Sequence, residues 1–223
     1  MTSSTIPKAG PLHHPPEDLL LDYVTGASGE AEALIVAAHL TYCPSCRRET
    51  GRLEALGGAA LEEIAPAPLA EDSLAAIMAM IDRPESRAPE RKRTNPDLPA
   101  PLCAYLDRPL RELDWKVVMR GKLDEFILPV APSQAKAKLL RIRAGAPMPR
   151  HTHEGREMTL VLEGSFEDGH ARFSRGDLSV SDAEIDHRPV ADEEADCLCL
   201  VVTDAPLRLT GPVGRFLNPF LKF

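Results

Sequence analysis

Three side chains within eight residues are spaced for metal chemistry. The stretch His39-Leu-Thr-Tyr-Cys43-Pro-Ser-Cys46 reads H-x3-C-x2-C and lies at the end of an amphipathic helical pattern. His39 and Cys43 are four residues apart, so a helix stacks them on one face. Pro44 is poor inside a helix but well suited to a first turn. The chain is therefore expected to break after Cys43 and restart, with Cys43 and Cys46 flanking the new first turn. That places three ligands around one point, as a tetrahedral zinc site requires. No fourth ligand is local, and the nearest candidates are His13 and His14. Redox CxxC motifs follow a strand, whereas here a helix precedes, so a redox role is the weaker reading. The bland alternative is three ordinary residues of a small core.

A second cluster lies far downstream, in His151-Thr-His153-Glu-Gly-Arg-Glu157. On a strand His151 and His153 point to the same side, and Glu157 can return to that side after a short turn. His187, just beyond a strand-like run at 178–181, can add a third imidazole. Three imidazoles and a carboxylate suit zinc, iron, nickel or manganese and can leave a coordination position open. The alternative is a set of exposed loop histidines. Cys197 and Cys199 alternate on a strand and share a face. They are a possible redox pair near this metal or a partner face, though buried inert thiols fit as well. Residues i and i+2 of one strand lie far apart for a disulfide.

Composition frames both clusters. The chain has 223 residues, 43% of them hydrophobic and 27% charged, as in a globular protein of one or two domains. No apolar run approaches the ~20 residues of a membrane span. The first residues lack the apolar core of a signal peptide, so a cytoplasmic location is expected. The net charge of −8 is uneven, with 4 Lys/Arg against 12 Asp/Glu in residues 1–82. Direct nucleic-acid binding by that segment is disfavoured, because phosphate contacts need basic side chains. A basic protein partner fits better.

The elements that must carry these residues follow in order. Residues 1–14 have the composition of a disordered tail. Pro15-Pro16-Glu17-Asp18 opens a first helix, which Gly26 stops. Ser28 is positioned to cap a second helix over about 29–41, with Ala31, Leu34, Ile35, Ala38 and Val36 inward. A third runs from Pro44 through Leu53, Leu56, Leu61 and Ile64, weakened at Gly57-Gly58. A fourth, about 70–82, carries Leu74, Ile77, Met78 and Ile81 as a narrow apolar stripe between prolines. It either packs on the other helices or stands off to grip a partner, and the prolyl tethers and exposed Met80 favour the second. Residues 83–100, rich in proline and charge, read as a linker containing Arg91-Lys92-Arg93. From 101 on, short strand-like runs alternate with Gly, Pro and Asp turns, as in an all-β sandwich or small barrel.

Both clusters resemble known families. The H-x3-C-x2-C spacing resembles the zinc-binding anti-sigma domain, which has an upstream histidine as well. Gly145-x5-His151-x-His153-x3-Glu157-x6-Gly164 matches the first cupin motif at every defined position. Gly176 and His187 keep the spacing of the second motif, whose proline, inner glycine and final asparagine are replaced by Asp182, Glu184 and Ala191. Together the halves resemble the ChrR-type zinc anti-sigma factors over nearly the whole chain, including Asp204-Ala-Pro-Leu-Arg and the Arg-Phe-Leu-Asn-Pro-Phe-Leu ending. The resemblance implies a multidomain α plus all-β protein. A four-helix zinc-binding anti-sigma domain (1–82) and a linker (83–100) would precede a C-terminal cupin, a small β-barrel or jelly roll (101–223). It implies His14, with His13 as fallback, as the fourth ligand beside His39, Cys43 and Cys46, and a cupin site of His151, His153, Glu157 and His187. It further implies 1:1 sequestration of an extracytoplasmic-function-type sigma factor. The cupin would serve release of sigma under singlet oxygen or related oxidants. The rival reading is a metal-dependent cupin dioxygenase or isomerase with a regulatory helical domain, since the cupin fold hosts many functions.

Overall fold

The structure, a computed structural model, describes residues 10–82 and 94–211. In chain order the helices are α1 (Glu17–Thr25), α2 (Glu30–Tyr42), α3 (Pro44–Glu62), α4 (Ser73–Ile81) and the short α5 (Ala100–Cys103). The strands are β1 (Lys116–Met119), β2 (Leu123–Ile127), β3 (Lys136–Ile142), β4 (His151–His153), β5 (Glu157–Glu163), β6 (Ser165–Glu167), β7 (Arg172–Ser174), β8 (Leu178–Ser181), β9 (Val190–Ala191), β10 (Cys197–Thr203) and β11 (Leu207–Leu209). The strand-like runs read from the sequence each overlap a strand, although the run from Phe126 to Val130 leaves β2 after Ile127. The short β7, β9 and β11, of two or three residues each, are too brief to show a period.

An antiparallel sheet ordered β1-β2-β3-β10-β5-β8 forms one wall of the β lobe. The pairs β11-β4 and β7-β6-β9 form smaller sheets. The central strand β10 is buried at every position, and its alternation assigns two faces. Cys197, Cys199 and Val201 join Leu140, Val161 and Phe166 inside the β lobe. Leu198, Leu200 and Val202 face outward, yet they are buried too, in a cluster with Leu19, Leu34, Ile35 and Leu102 of the helices. The helical and β segments thus share one continuous core. Truncating a buried leucine of this kind costs about 2–5 kcal/mol.

Local chemistry sets the helix ends. Gly26 ends α1 in the left-handed conformation at φ 74°, which favours glycine. The cap of α2 is Gly29, not Ser28: the Gly29 N–H donates to Glu32 Oε2 at 3.1 Å, while the Ser28 hydroxyl is buried without a partner. The carboxylate three residues on does the capping, so a serine cap is not needed. The five inward residues expected on α2 are all buried. α3 passes through Gly57-Gly58 unbroken, but Leu56, Leu61 and Ile64 are exposed. α4 buries none of its residues.

Two expectations based on composition are corrected. Residues 10–14 are strapped to the β lobe, because Leu12 and His13 N–H donate to Asp177 Oδ1 at 2.6 and 3.0 Å and the Leu178 N–H donates to the His13 carbonyl. A partner some 165 residues away in sequence leaves no local signal. The end of the proposed linker is also packed: Asn95 and Leu98 are buried, and Asn95 holds Arg108 and Leu110. The remainder of that linker, with Arg91-Lys92-Arg93, and the phenylalanine-rich ending lie outside the described residues. Among the described residues no helix is long and apolar enough to cross a membrane.

Two candidate metal centres and an exposed helix

The helix break builds the first centre. Cys43 leaves helical geometry at φ −106°, ψ 102°, Pro44 opens α3, and the Cys46 N–H points at Cys43 Sγ at 3.4 Å. His39, on the last turn of α2, brings Nε2 to 3.3 Å from Cys46 Sγ. His14 completes the group, with Nδ1 at 3.4 Å from both sulfurs. All four donor atoms lie within 4.8 Å of one another. The edge of a zinc tetrahedron with these ligands is about 3.5 Å, so the donor set fits zinc. His13 instead lies against the Phe173 ring, centroids 4.4 Å apart. Burial drives the His39 pKa down to about 4, leaving a neutral imidazole, and pushes the Cys46 thiol up to about 12, helped by Cys43. A buried thiolate next to a second thiol needs a cation to stabilise it.

The second centre is assembled by strands far apart in sequence. His151 and His153 lie at the two ends of β4, Glu157 opens β5, and His187 is tied to His151 by reciprocal backbone hydrogen bonds of 3.0 Å. These four residues also converge within 4.8 Å. His187 Nε2 sits 3.1 Å from the Nε2 atoms of both His151 and His153. His151 Nδ1 donates to the Pro149 carbonyl at 2.7 Å, so its Nε2 presents a lone pair. His187 Nδ1 faces Asp168 at 3.6 Å, which likewise favours a proton on Nδ1. Lone pairs aimed at one another at this range repel unless a cation lies among them, and the donor set fits a divalent metal. The 3.1 Å spacing lies between the ~3.0 Å edge of an octahedral site and the ~3.3 Å edge of a tetrahedral one.

Electrostatics agree with that reading. Burial lowers His151 to about 4 and His153 to about 3, and it lowers His187 as well. Burial raises Glu157 to about 7 against the pull of Lys138. Asp168 is also buried, which raises its pKa, but N–H donors of Ala171 and His170 together with His187 bring it below the usual range. In the turn before His187, where the motif's proline is replaced by Asp182, Asp182 Oδ1 accepts from the Glu184 N–H at 2.9 Å. The centre opens on a mostly apolar chamber of about 590 Å³, walled by Met119, Leu123, Ile142 and Phe166.

Cys199 lines the same chamber. Its sulfur is 3.5 Å from that of Cys197, and both are free and buried. The Cys197 contact and burial hold the Cys199 thiol well above its usual range. On α4, Leu74, Ile77, Met78 and Ile81 are 72%, 54%, 49% and 68% exposed, so packing on α1–α3 is not their role. Sequence reading took Gly176 only as a spacing mark of the second cupin motif and did not single out Asp168 or Asp177. Each sits in an Asp-Gly or Gly-Asp turn, a pattern that signals a turn but not what it faces.

Comparison with known proteins covers both lobes. A family model described as the ChrR cupin-like domain matches residues 110–206, and a zinc-finger family model matches residues 17–47. The anti-sigma-E factor ChrR of Cereibacter sphaeroides is 42% identical over 210 residues, covering 94% of this chain and 98% of that protein. The crystal structure of Rhodobacter sphaeroides SigE in complex with the anti-sigma ChrR matches with a TM-score of 0.76 at 41% identity, over 86% of this chain and 99% of that one. An acetylacetone dioxygenase from Acinetobacter johnsonii matches at 12% identity and a TM-score of 0.39, over 45% of this chain and 74% of that one. That distance carries no functional argument.

Proposed function

Because the chain belongs to the ChrR family of zinc anti-sigma factors, a regulatory rather than an enzymatic family, we propose that it binds a sigma factor of the extracytoplasmic-function type in a 1:1 complex and keeps it from RNA polymerase. The observation that carries this reading is α4: a nine-residue helix with five large apolar side chains and none buried. Exposed apolar area of this size at helical spacing fits a groove on a partner. Leu56 and Leu61 of α3, and Ile64 just beyond its end, add exposed apolar side chains of the same kind. The acidic balance of residues 1–82 suits a basic, promoter-binding partner and steers encounter.

In this reading, the sigma-binding part is residues 1–82, joined through 83–100 to the cupin at 101–223. His14, His39, Cys43 and Cys46 hold a structural zinc. Two thiolates and two imidazoles close and neutralise the site, so the metal supplies folding energy and no reactive position. His151, His153, Glu157 and His187 hold the cupin metal, zinc by preference, with iron, nickel or manganese as the other fits. When bound, that metal supplies a Lewis-acidic centre at the chamber wall. Pro149 and Asp168 orient the imidazoles, and the apolar walls admit small oxidants such as singlet oxygen while limiting water. A change there would release sigma.

The test is transcription in vitro from a promoter read by the cognate sigma factor, with RNA polymerase and the full-length chain. Stoichiometric inhibition that is relieved by singlet oxygen in the wild type but not in His153→Ala is expected. An absence of inhibition by the zinc-loaded wild type would contradict sequestration. Equal relief in His153→Ala would remove the sensing role of the cupin metal.

A further inference from the structure

The N-terminal zinc ligands are held from the β lobe. His39 Nδ1 lies 2.9 Å from the Gly176 carbonyl, in the β7–β8 turn. That contact fixes the tautomer with the proton on Nδ1 and leaves Nε2 free on the side of Cys46. The adjacent Asp177 carboxylate accepts from Leu12 and His13 through Oδ1 and from Ser174 through Oδ2 at 2.8 Å. With Leu178 donating to the His13 carbonyl, it strings the backbone that delivers His14. Gly176 itself has no room for a side chain: at φ 94°, an added Cβ would stand 2.9 Å from Pro11 and 3.0 Å from Tyr42.

We infer that the β7–β8 turn of the cupin, through Gly176 and Asp177, is the outer layer of the N-terminal zinc site and positions two of its four ligands. The inference rests on the zinc reading above and deepens it. Two ligands, Cys43 and Cys46, are placed by the helix break alone. His39 is brought to them by the same break at the end of α2, but its ring orientation, and the placement of His14, depend on the docked β lobe. Loosening the β7–β8 turn therefore loosens both imidazoles at once and gives the cupin lobe a direct mechanical hold on zinc retention in the sigma-binding lobe. β8 continues from this turn into the segment that ends at His187, so one β-strand and its loop connect the two metal centres.

Cobalt(II) titration of the full-length, metal-stripped chain tests this. Thiolate-to-cobalt charge-transfer absorption arises only at a site containing Cys43 and Cys46, so it reports the N-terminal centre without interference from the cysteine-free cupin ligands. Asp177→Asn keeps the size of the side chain but turns an amide N–H₂ toward one of the three backbone donors. Gly176→Ala keeps the carbonyl but pushes the turn off Pro11 and Tyr42. Both variants are expected to weaken cobalt and zinc binding at the thiolate site by about 10–100-fold, the usual effect of losing an outer-layer partner. Asp192→Asn, which removes the carboxylate paired with Arg172 of β7 but none of the groups at the β7–β8 turn that reach His14 or His39, is expected to leave it unchanged. Wild-type affinity in both turn variants would overturn the inference, as would an equal loss in Asp192→Asn, which would mark general loosening of the fold. A wild type without charge-transfer absorption would overturn the zinc reading together with the inference. Sigma binding is not the readout, so failure of sequestration would be seen separately.

Discussion

The two centres use the same type of ligand in opposite ways. In the helical lobe, three ligands sit within eight residues and are placed by a single backbone event, the break at Cys43-Pro44. In the β lobe, four ligands come from β4, β5 and the loop before β9, converging only when three sheets are in register. The first set offers two thiols and two imidazoles, and with zinc bound it would be closed. The second offers no thiol, includes a carboxylate that burial has made reluctant to ionise, and faces a chamber. A site built by local geometry needs its metal to hold a small fold together. A site built on a complete sheet stands on a scaffold with its own core. The lesson is that ligand type alone does not set the role of a metal; what supports the ligands decides it.

The largest effect expected from that contrast is at the cysteines. Cys43→Ser or Cys46→Ser should lose one metal per chain and melt α1–α3, since zinc binding is worth about 10–16 kcal/mol in comparable small folds. Metal analysis and far-UV circular dichroism read both. His151→Ala should lose the other metal while circular dichroism and sigma binding stay near wild type, because the sheet core does not depend on it. If the cupin variant unfolds and the cysteine variant does not, the comparison is inverted.

Acid separates the centres next. Burial lowers His39 and His151 to about 4 and His153 to about 3, from an ordinary 6.5. A depressed folded-state pKa gives stability that is present above 6.5 and lost as pH falls through the folded value. Metal-free protein should therefore weaken from pH 6.5 downward, by about 3 kcal/mol each for His39 and His151 and by more for His153. Glu157 has the opposite sign: raised to about 7, it costs the metal-free cupin stability as pH rises from about 4.5 through about 7. Urea melts of apoprotein across pH should show both limbs, and Glu157→Gln should remove only the alkaline one.

The smallest effect on stability is expected on α4. Ile77→Asp should change the unfolding free energy by less than about 0.5 kcal/mol, as surface substitutions do. It should nevertheless weaken sigma binding at least tenfold in a titration, because a charge would enter an apolar groove.

How much of this was legible in the sequence follows from the same physics. Ligands set by short-range geometry were readable: His39, Cys43 and Cys46 by helical spacing and Pro44, and His151, His153 and Glu157 by strand alternation. The burial of α2 and the exposure of α4 followed from apolar periodicity and prolyl flanks. Choosing His14 over His13 required the family resemblance, because the two histidines are neighbours in an apparently disordered tail. The strap at residues 10–14, the buried Asn95 and the support from Asp168, Gly176 and Asp177 rest on partners distant in sequence. The docking of the helices on the outer face of β10 was hidden for a related reason. A strand buried on both faces, such as Cys-Leu-Cys-Leu-Val-Val, shows that it is covered and not by what.

The central claim is that the exposed α3–α4 surface of a zinc-built lobe holds the sigma factor. Its most direct test is co-expression of the full-length chain with the cognate sigma factor, followed by size-exclusion chromatography and metal analysis, with Ile77→Asp alongside. The account predicts a 1:1 complex for the wild type and a folded, zinc-loaded but sigma-free Ile77→Asp protein. An Ile77→Asp chain that still elutes fully bound to sigma, with its zinc intact, would contradict it.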